Sequence, residues 1–136
     1  MPLRCAILDD YQNVALKLAD WSRIADRVDV TVFDKPFADA AEAIAALQDF
    51  EIVCAMRERT AFRADTINAL PKLKLLLTSG MRNASIDHEA ANARGITVCG
   101  TASMGGPTAS LAIGLMLELT RHIGFESERM KAGERW

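Results

Sequence analysis

Arg57 and Arg59 fall in the segment Met56-Arg57-Glu58-Arg59-Thr60, directly after the apolar run Glu51-Ile52-Val53-Cys54-Ala55. That run reads as a short buried strand. In an open parallel sheet, ligands bind in the crevice at the carboxyl ends of the strands. Two guanidiniums at such an end suggest a pocket for a small carboxylate or phosphate. The turn Ser79-Gly80-Met81, after the next apolar run, adds a glycine loop at the same edge. The phosphate-cradling sequences of nucleotide sites are missing: the chain contains neither Gly-x-Gly-x-x-Gly nor Gly-Lys-Ser/Thr. Plainer readings stand beside these. The arginines could be solvated and paired with Glu58 or with neighbouring acids, and Gly80 could serve only as a turn residue with positive φ.

Other chemistry-bearing residues fit no complete site. Asp9-Asp10 ends the first apolar run, where a phosphoacceptor receiver domain would hold Mg²⁺. Such a domain also needs an aspartate after its third strand and a lysine after its fifth. Those places hold Ala55-Met56 and Gly100-Thr101, so the acidic pair reads as a strand-to-helix cap. His88 falls in the first turn of an expected helix. His122 falls near the end of another, where a cationic imidazole is favoured. Neither has a Cys or acidic partner at ligand spacing, so no metal site is expected. Trp21 and Trp136 read as packing residues.

The elements that must position these residues alternate regularly. Strands are expected over 4–8, 28–33, 51–55, 73–78 and 96–99, the fourth apolar enough to be covered on both faces. Helices are expected over 20–27, with Asp20 as N-cap, and over 39–47, with Ile44 and Leu47 facing inward. Two more follow: 63–70, stopped by Pro71, and 87–94, stopped by Gly95. Strands alternating with helices predict an α/β fold, a flavodoxin-like doubly wound five-stranded parallel sheet, over residues 1–100. Gly100 to Gly106 reads as a turn-rich link. Pro107 then opens a long crossing helix over 108–122, with Leu111, Leu115, Met116 and Leu119 on one face. Ala112, Ile113 and Gly114 keep most of the remainder apolar, and a helix apolar nearly all round requires cover. A short polar helix over 126–132 completes the second segment, 101–136.

At 136 residues the chain is long enough to bury one core. Half of it is hydrophobic and a quarter charged, the profile of a soluble globular protein. A net charge of -2 gives no basic footprint for nucleic acid. The apolar stretch from Leu111 to Leu119 is too short to cross a bilayer, and no signal peptide is expected, because the N-terminus goes straight into a strand without its basic and apolar regions. Cys5, Cys54 and Cys99 each sit in an expected strand without a Cys-x-x-Cys pair, so buried free thiols and a cytoplasmic location are expected.

Four landmarks come in order: the arginine loop, the stretch Thr78-Ser79-Gly80-Met81-Arg82-Asn83-Ala84-Ser85-Ile86-Asp87, then Arg94-Gly95-Ile96-Thr97-Val98-Cys99, and Lys131-Ala132-Gly133-Glu134-Arg135-Trp136. Together they resemble the N-terminal, substrate-binding portion of the D-isomer-specific 2-hydroxyacid dehydrogenases, phosphoglycerate-dehydrogenase-like, across essentially the whole chain. The resemblance implies two doubly wound lobes. The first binds substrate. The second, inserted in sequence, carries the Gly-x-Gly-x-x-Gly loop and the catalytic arginine, glutamate and histidine. Residues 101–136 would then be the interlobe helix and the start of a truncated nucleotide-binding domain, and neither His88 nor His122 matches the catalytic histidine.

Carried over by residue, Arg57 and Arg59 match the loop whose side chains can reach an acidic group on the substrate. Gly80, Met81 and Arg82 match the loop whose backbone N–H groups hold the carboxylate, by charge-assisted hydrogen bonds from fixed donors. Met81 also matches a position near the nicotinamide of NAD or NADP. The chain departs from the family where many members read Gly-Val-Asp-Asn-Ile-Asp, since the Asp-Asn pair becomes Ala84-Ser85. It departs again where an Ala-Glu pair becomes Ala109-Ser110.

The resemblance implies an NAD(P)-dependent oxidoreductase acting on the CH–OH group of D-2-hydroxy acids, of which this chain supplies substrate binding but no turnover. The alternative is a non-catalytic binding or interaction module of the same descent. Expected partners are a small 2-hydroxy or 2-oxo acid and, through the helix over 108–122, either a second copy or the missing lobe.

Overall fold

Five strands form one parallel sheet: β1 (Leu3–Ile7), β2 (Val28–Val32), β3 (Ile52–Ala55), β4 (Leu75–Thr78) and β5 (Thr97–Gly100). Their order, β2-β1-β3-β4-β5, is that of the expected flavodoxin-like α/β fold. A computed structural model of the chain describes residues 1–102 and 106–134. It divides into two units, Met1–Ser103 and Met104–Trp136.

In the first unit, α1 (Ala40–Leu47), α2 (Ala64–Ala69) and α3 (His88–Ala93) connect the later strands. Local chemistry sets their ends. The Asp39 carboxylate accepts from the Glu42 N–H at 2.9 Å, while the Glu42 carboxylate accepts from the Ala38 N–H. Asp87 likewise accepts from the Ala90 N–H at 2.9 Å, and Gly95, at φ +68°, stops α3. The Arg94 guanidinium donates to the carbonyls of Ile67 and Leu70, tying the end of α3 to the end of α2.

Successive strand residues point to opposite faces. Ala6, Leu8, Val53, Ala55 and Leu76 fall on one of them, and all are buried with Leu47, Ile67 and Ala91 of the three helices. Right-handed crossovers account for this one-sidedness. The connections β2 to β3, β3 to β4 and β4 to β5 run in the same direction across the sheet and cover the same face, whereas β1 to β2 runs back and covers the other.

That return connection departs from expectation. No α-helix spans 20–27. Trp21–Ile24 form a single 3-10 turn, with the Asp20 carboxylate accepting from the backbone and hydroxyl of Ser22. Ala25 and Arg27 donate three residues back, to Ser22 and Ile24, and pairing with β1 begins at Val28. The Asp20 carboxylate engages Ser22, two residues on, where Asp39 and Asp87 engage the third residue, and the segment closes as a 3-10 turn. The second face is therefore thinly covered. Leu75 and Leu77 are only half-buried, and Cys99, on the edge strand β5, is exposed rather than buried as expected. In α1, Ala43 takes the inward position expected for Ile44, which is half-buried, while Leu47 packs inward as expected.

The second unit holds α4 (Gly106–Arg121) and α5 (Ile123–Lys131), joined at His122, whose φ is +52°. The Glu118 carboxylate accepts from the Gly124 N–H at 2.8 Å and closes the corner. Neither helix has a buried residue. Part of the 100–106 link, the end of the Lys131–Trp136 landmark and the packing role of Trp136 lie outside the described residues.

Candidate functional site

The strand order reverses between β1 and β3, and their carboxyl ends carry two left-handed residues other than glycine: Asp9 at φ +60° and Arg57 at φ +55°. Such conformations are unfavourable for a residue with a Cβ and persist where neighbours hold them. The Asp9 carboxylate, buried, accepts from the Thr60 hydroxyl at 3.0 Å, so the ends of β1 and β3 are bonded side chain to side chain. The Asp9-Asp10 pair is not the strand-to-helix cap expected from the sequence, since no α-helix follows β1 before β2; the two Asp10 oxygens accept from the N–H groups of Val14 and Ala15 in a turn.

Arg57 is held through both of its backbone polar groups. Its N–H donates to Ser79 Oγ at 3.1 Å, and its carbonyl accepts from the Asn83 carboxamide at 2.5 Å. Its guanidinium lies over Gly80, where a Cβ would stand 2.8 Å from Nη1. Gly80, at φ +100°, thus serves both a turn and a close approach. The turn in turn rests on β5. A Cβ on Gly100 would meet the Gly80 carbonyl at 2.6 Å, and the Gly80 N–H donates to Thr101 Oγ1 at 3.0 Å.

Sequence and structure differ over which residues share a place. Arg57 and Gly80 come together. Arg59 turns the other way: its guanidinium stacks 4.0 Å over the Tyr11 ring, with a long hydrogen bond of 3.4 Å to the Asp9 carbonyl. There it lines a cavity of about 240 Å³ with Phe37, Asp39, Ala43 and Thr60. Both arginines are exposed, as the plainer reading has them, but among the described residues Glu58 forms no ion pair with either. The Gly80 N–H, expected to face a carboxylate, is occupied by Thr101. Met81 and Arg82 are exposed at the tip of the turn. A second hollow of about 210 Å³, lined by Ile7, Cys54, Met56, Leu77, Ser79 and Thr101, opens at the same carboxyl edge on the thinly covered face.

Sequence reasoning missed Ser79, Asn83, Gly100, Thr101 and Tyr11. Gly100 carried a signal, since it follows a strand just as the Gly80 turn does. The others act through contacts between distant segments that no local pattern reveals. Among the described residues no cluster of His, Cys, Asp or Glu could hold a metal.

The family model for the D-isomer specific 2-hydroxyacid dehydrogenase catalytic domain matches residues 5–111. The chain belongs to this family. Over 83 residues, 60% of its length, the chain is 36% identical to hydroxypyruvate reductase of Thermotoga maritima. It is 35% identical over 104 residues to human D-3-phosphoglycerate dehydrogenase, covering 76% of this chain. The crystal structure of a phosphoglycerate oxidoreductase from Vibrio cholerae superposes with a TM-score of 0.80 at 32% identity, over 97% of this chain. The matched regions are 27% and 19% of the two curated relatives and 42% of the Vibrio chain, so this dehydrogenase-family chain spans a minor part of their length. The family is generally NAD(P)-dependent.

Proposed function

We propose that this chain is the substrate-binding portion of an NAD(P)-dependent oxidoreductase acting on the CH–OH group of D-2-hydroxy acids, and that it does not turn over alone. The observation that carries the reading is Arg57, clamped in a left-handed conformation with its guanidinium over Gly80 beside the β1/β3 switch point. That is the crevice where open α/β sheets bind ligands. A guanidinium there pairs with the carboxylate common to 2-hydroxy and 2-oxo acids, and the exposed turn at Met81 and Arg82 offers backbone donors beside it. Arg59, from the neighbouring cavity, reaches a further acidic group on a substrate that has one. A bound nicotinamide would accept the hydride. By the family resemblance Met81, exposed at the tip of its turn, would lie near it, and the chain's contribution is to hold and orient the acid. The proposed location is the cytoplasm, and no helix among the described residues is long and apolar enough to cross a membrane.

Titration of the 136-residue chain with pyruvate and with D-lactate, followed by amide NMR shifts, tests this. Weak binding at the 57–60 and 79–82 loops is expected. Arg57→Ala should weaken it about tenfold or more, the order of a lost charged hydrogen bond, while NADH is not consumed. Binding indifferent to Arg57, or NADH oxidation by this chain alone, would overturn the reading.

A second reading, a non-catalytic interaction module, is favoured by one observation: α4 is rich in leucine, isoleucine and methionine yet has no buried residue. Ser110, in place of the family's glutamate, points the same way.

A further inference from the structure

We propose that Asn83 is a positioning residue, which holds Arg57 in its left-handed conformation and thereby sets the carboxylate affinity of the pocket. This rests on the substrate-binding reading above. Asn83 is 4% exposed, and its carboxamide is fully engaged. The NH₂ group donates to the Arg57 carbonyl at 2.5 Å and to Thr78 Oγ1 at 2.9 Å, while Oδ1 accepts from the Ser85 N–H at 2.8 Å. One side chain therefore joins the arginine loop, the end of β4 and the turn that follows it.

The need for such a clamp is physical. An L-residue at φ +55° opposes its own Cβ, so Arg57 would relax to negative φ if released, carrying its guanidinium away from Gly80. Ser79 holds the N–H side of Arg57, and Asn83 holds the carbonyl side. Both bonds are required to fix the residue between them. Where many relatives carry valine at this place in Gly-Val-Asp-Asn-Ile-Asp, this chain has the carboxamide. An apolar residue could pack there but could not donate to Arg57.

The test uses the full chain. Asn83→Asp is isosteric and keeps the acceptor for Ser85, but it sets a carboxylate oxygen against the Arg57 carbonyl. It should weaken pyruvate binding about fivefold, as expected for a single lost bond. In the Arg57→Ala background it should cost nothing further, because the two residues act as one unit. Thr78→Val removes only the other donor bond and should bind as the wild type does, which a merely structural role for Asn83 would not give. A ligand-free readout is the ¹⁵N relaxation of the Arg57 amide, rigid in the wild type and loosened in Asn83→Asp. Should Asn83→Asp fold poorly, Asn83→Ser, with one hydroxyl donor, should show the same loosening. If wild-type chain binds no pyruvate, the pocket reading fails, and Arg57 relaxation still decides whether Asn83 holds it. An unchanged Arg57 amide, or additive losses in the double variant, would overturn the inference.

Discussion

Gly100 and Gly80 press their backbones together at the floor of the site, yet substitution should affect them differently. A Cβ on Gly100 meets backbone, the Gly80 carbonyl at 2.6 Å and the Met81 Cα at 2.9 Å, and neither can swing aside. Gly100→Ala should therefore cost about 2–3 kcal/mol in urea unfolding, as overpacking does, and should displace the turn. A Cβ on Gly80 meets the mobile end of Arg57, so its cost comes from the φ of +100° and should be smaller, about 1 kcal/mol. The thiols give an independent check at this scale. Cys5 donates to or accepts from Cys54 at 3.9 Å, and that hydrogen bond together with burial pushes its thiol far above the usual range. Treatment with a disulfide reagent near neutral pH should label exposed Cys99 first, half-buried Cys54 later and Cys5 only on unfolding. Early labelling of Cys5 would contradict the packing of β1 against β3.

Among the elements, α1 shows how cap and packing divide the stabilisation. Asp39→Ala removes one capping carboxylate at an exposed helix start and should cost about 1 kcal/mol. Leu47→Ala, at the other end of the same helix, leaves a hole in the closed face of the sheet and should cost about 2–4 kcal/mol. Unfolding curves of the two variants should rank in that order, and equal losses would mean that α1 packs more loosely than described. Helix ends were legible in the sequence at Asp39 and Asp87, where expected helices begin, and at Gly95, where one stops. Asp20 was expected to cap a helix too, but its carboxylate bonds Ser22, two residues on, and closes only a 3-10 turn.

For the whole molecule, the apolar residues of α4 carry the remaining prediction. We propose that this helix associates with a second copy. Sedimentation velocity should show a dimer or larger species, and Leu111→Glu with Leu115→Glu should return a monomer; a monomer at every concentration would refute it. The sequence by itself determined the strands, their parallel alternation with helices and the family, because hydrophobic periodicity, caps and glycine stops act over neighbouring residues. It also marked Arg57 and Gly80, since residue type and strand-end position suffice for that. Only the tertiary structure decided that Arg57 lies over Gly80 while Arg59 stacks on Tyr11, and that Ser79 and Asn83 hold the one arginine from its two sides. It likewise decided that one face of the sheet is closed and the other thinly covered. These outcomes depend on crossover handedness and on bonds between segments 20 or more residues apart, and no local pattern in the chain encodes either.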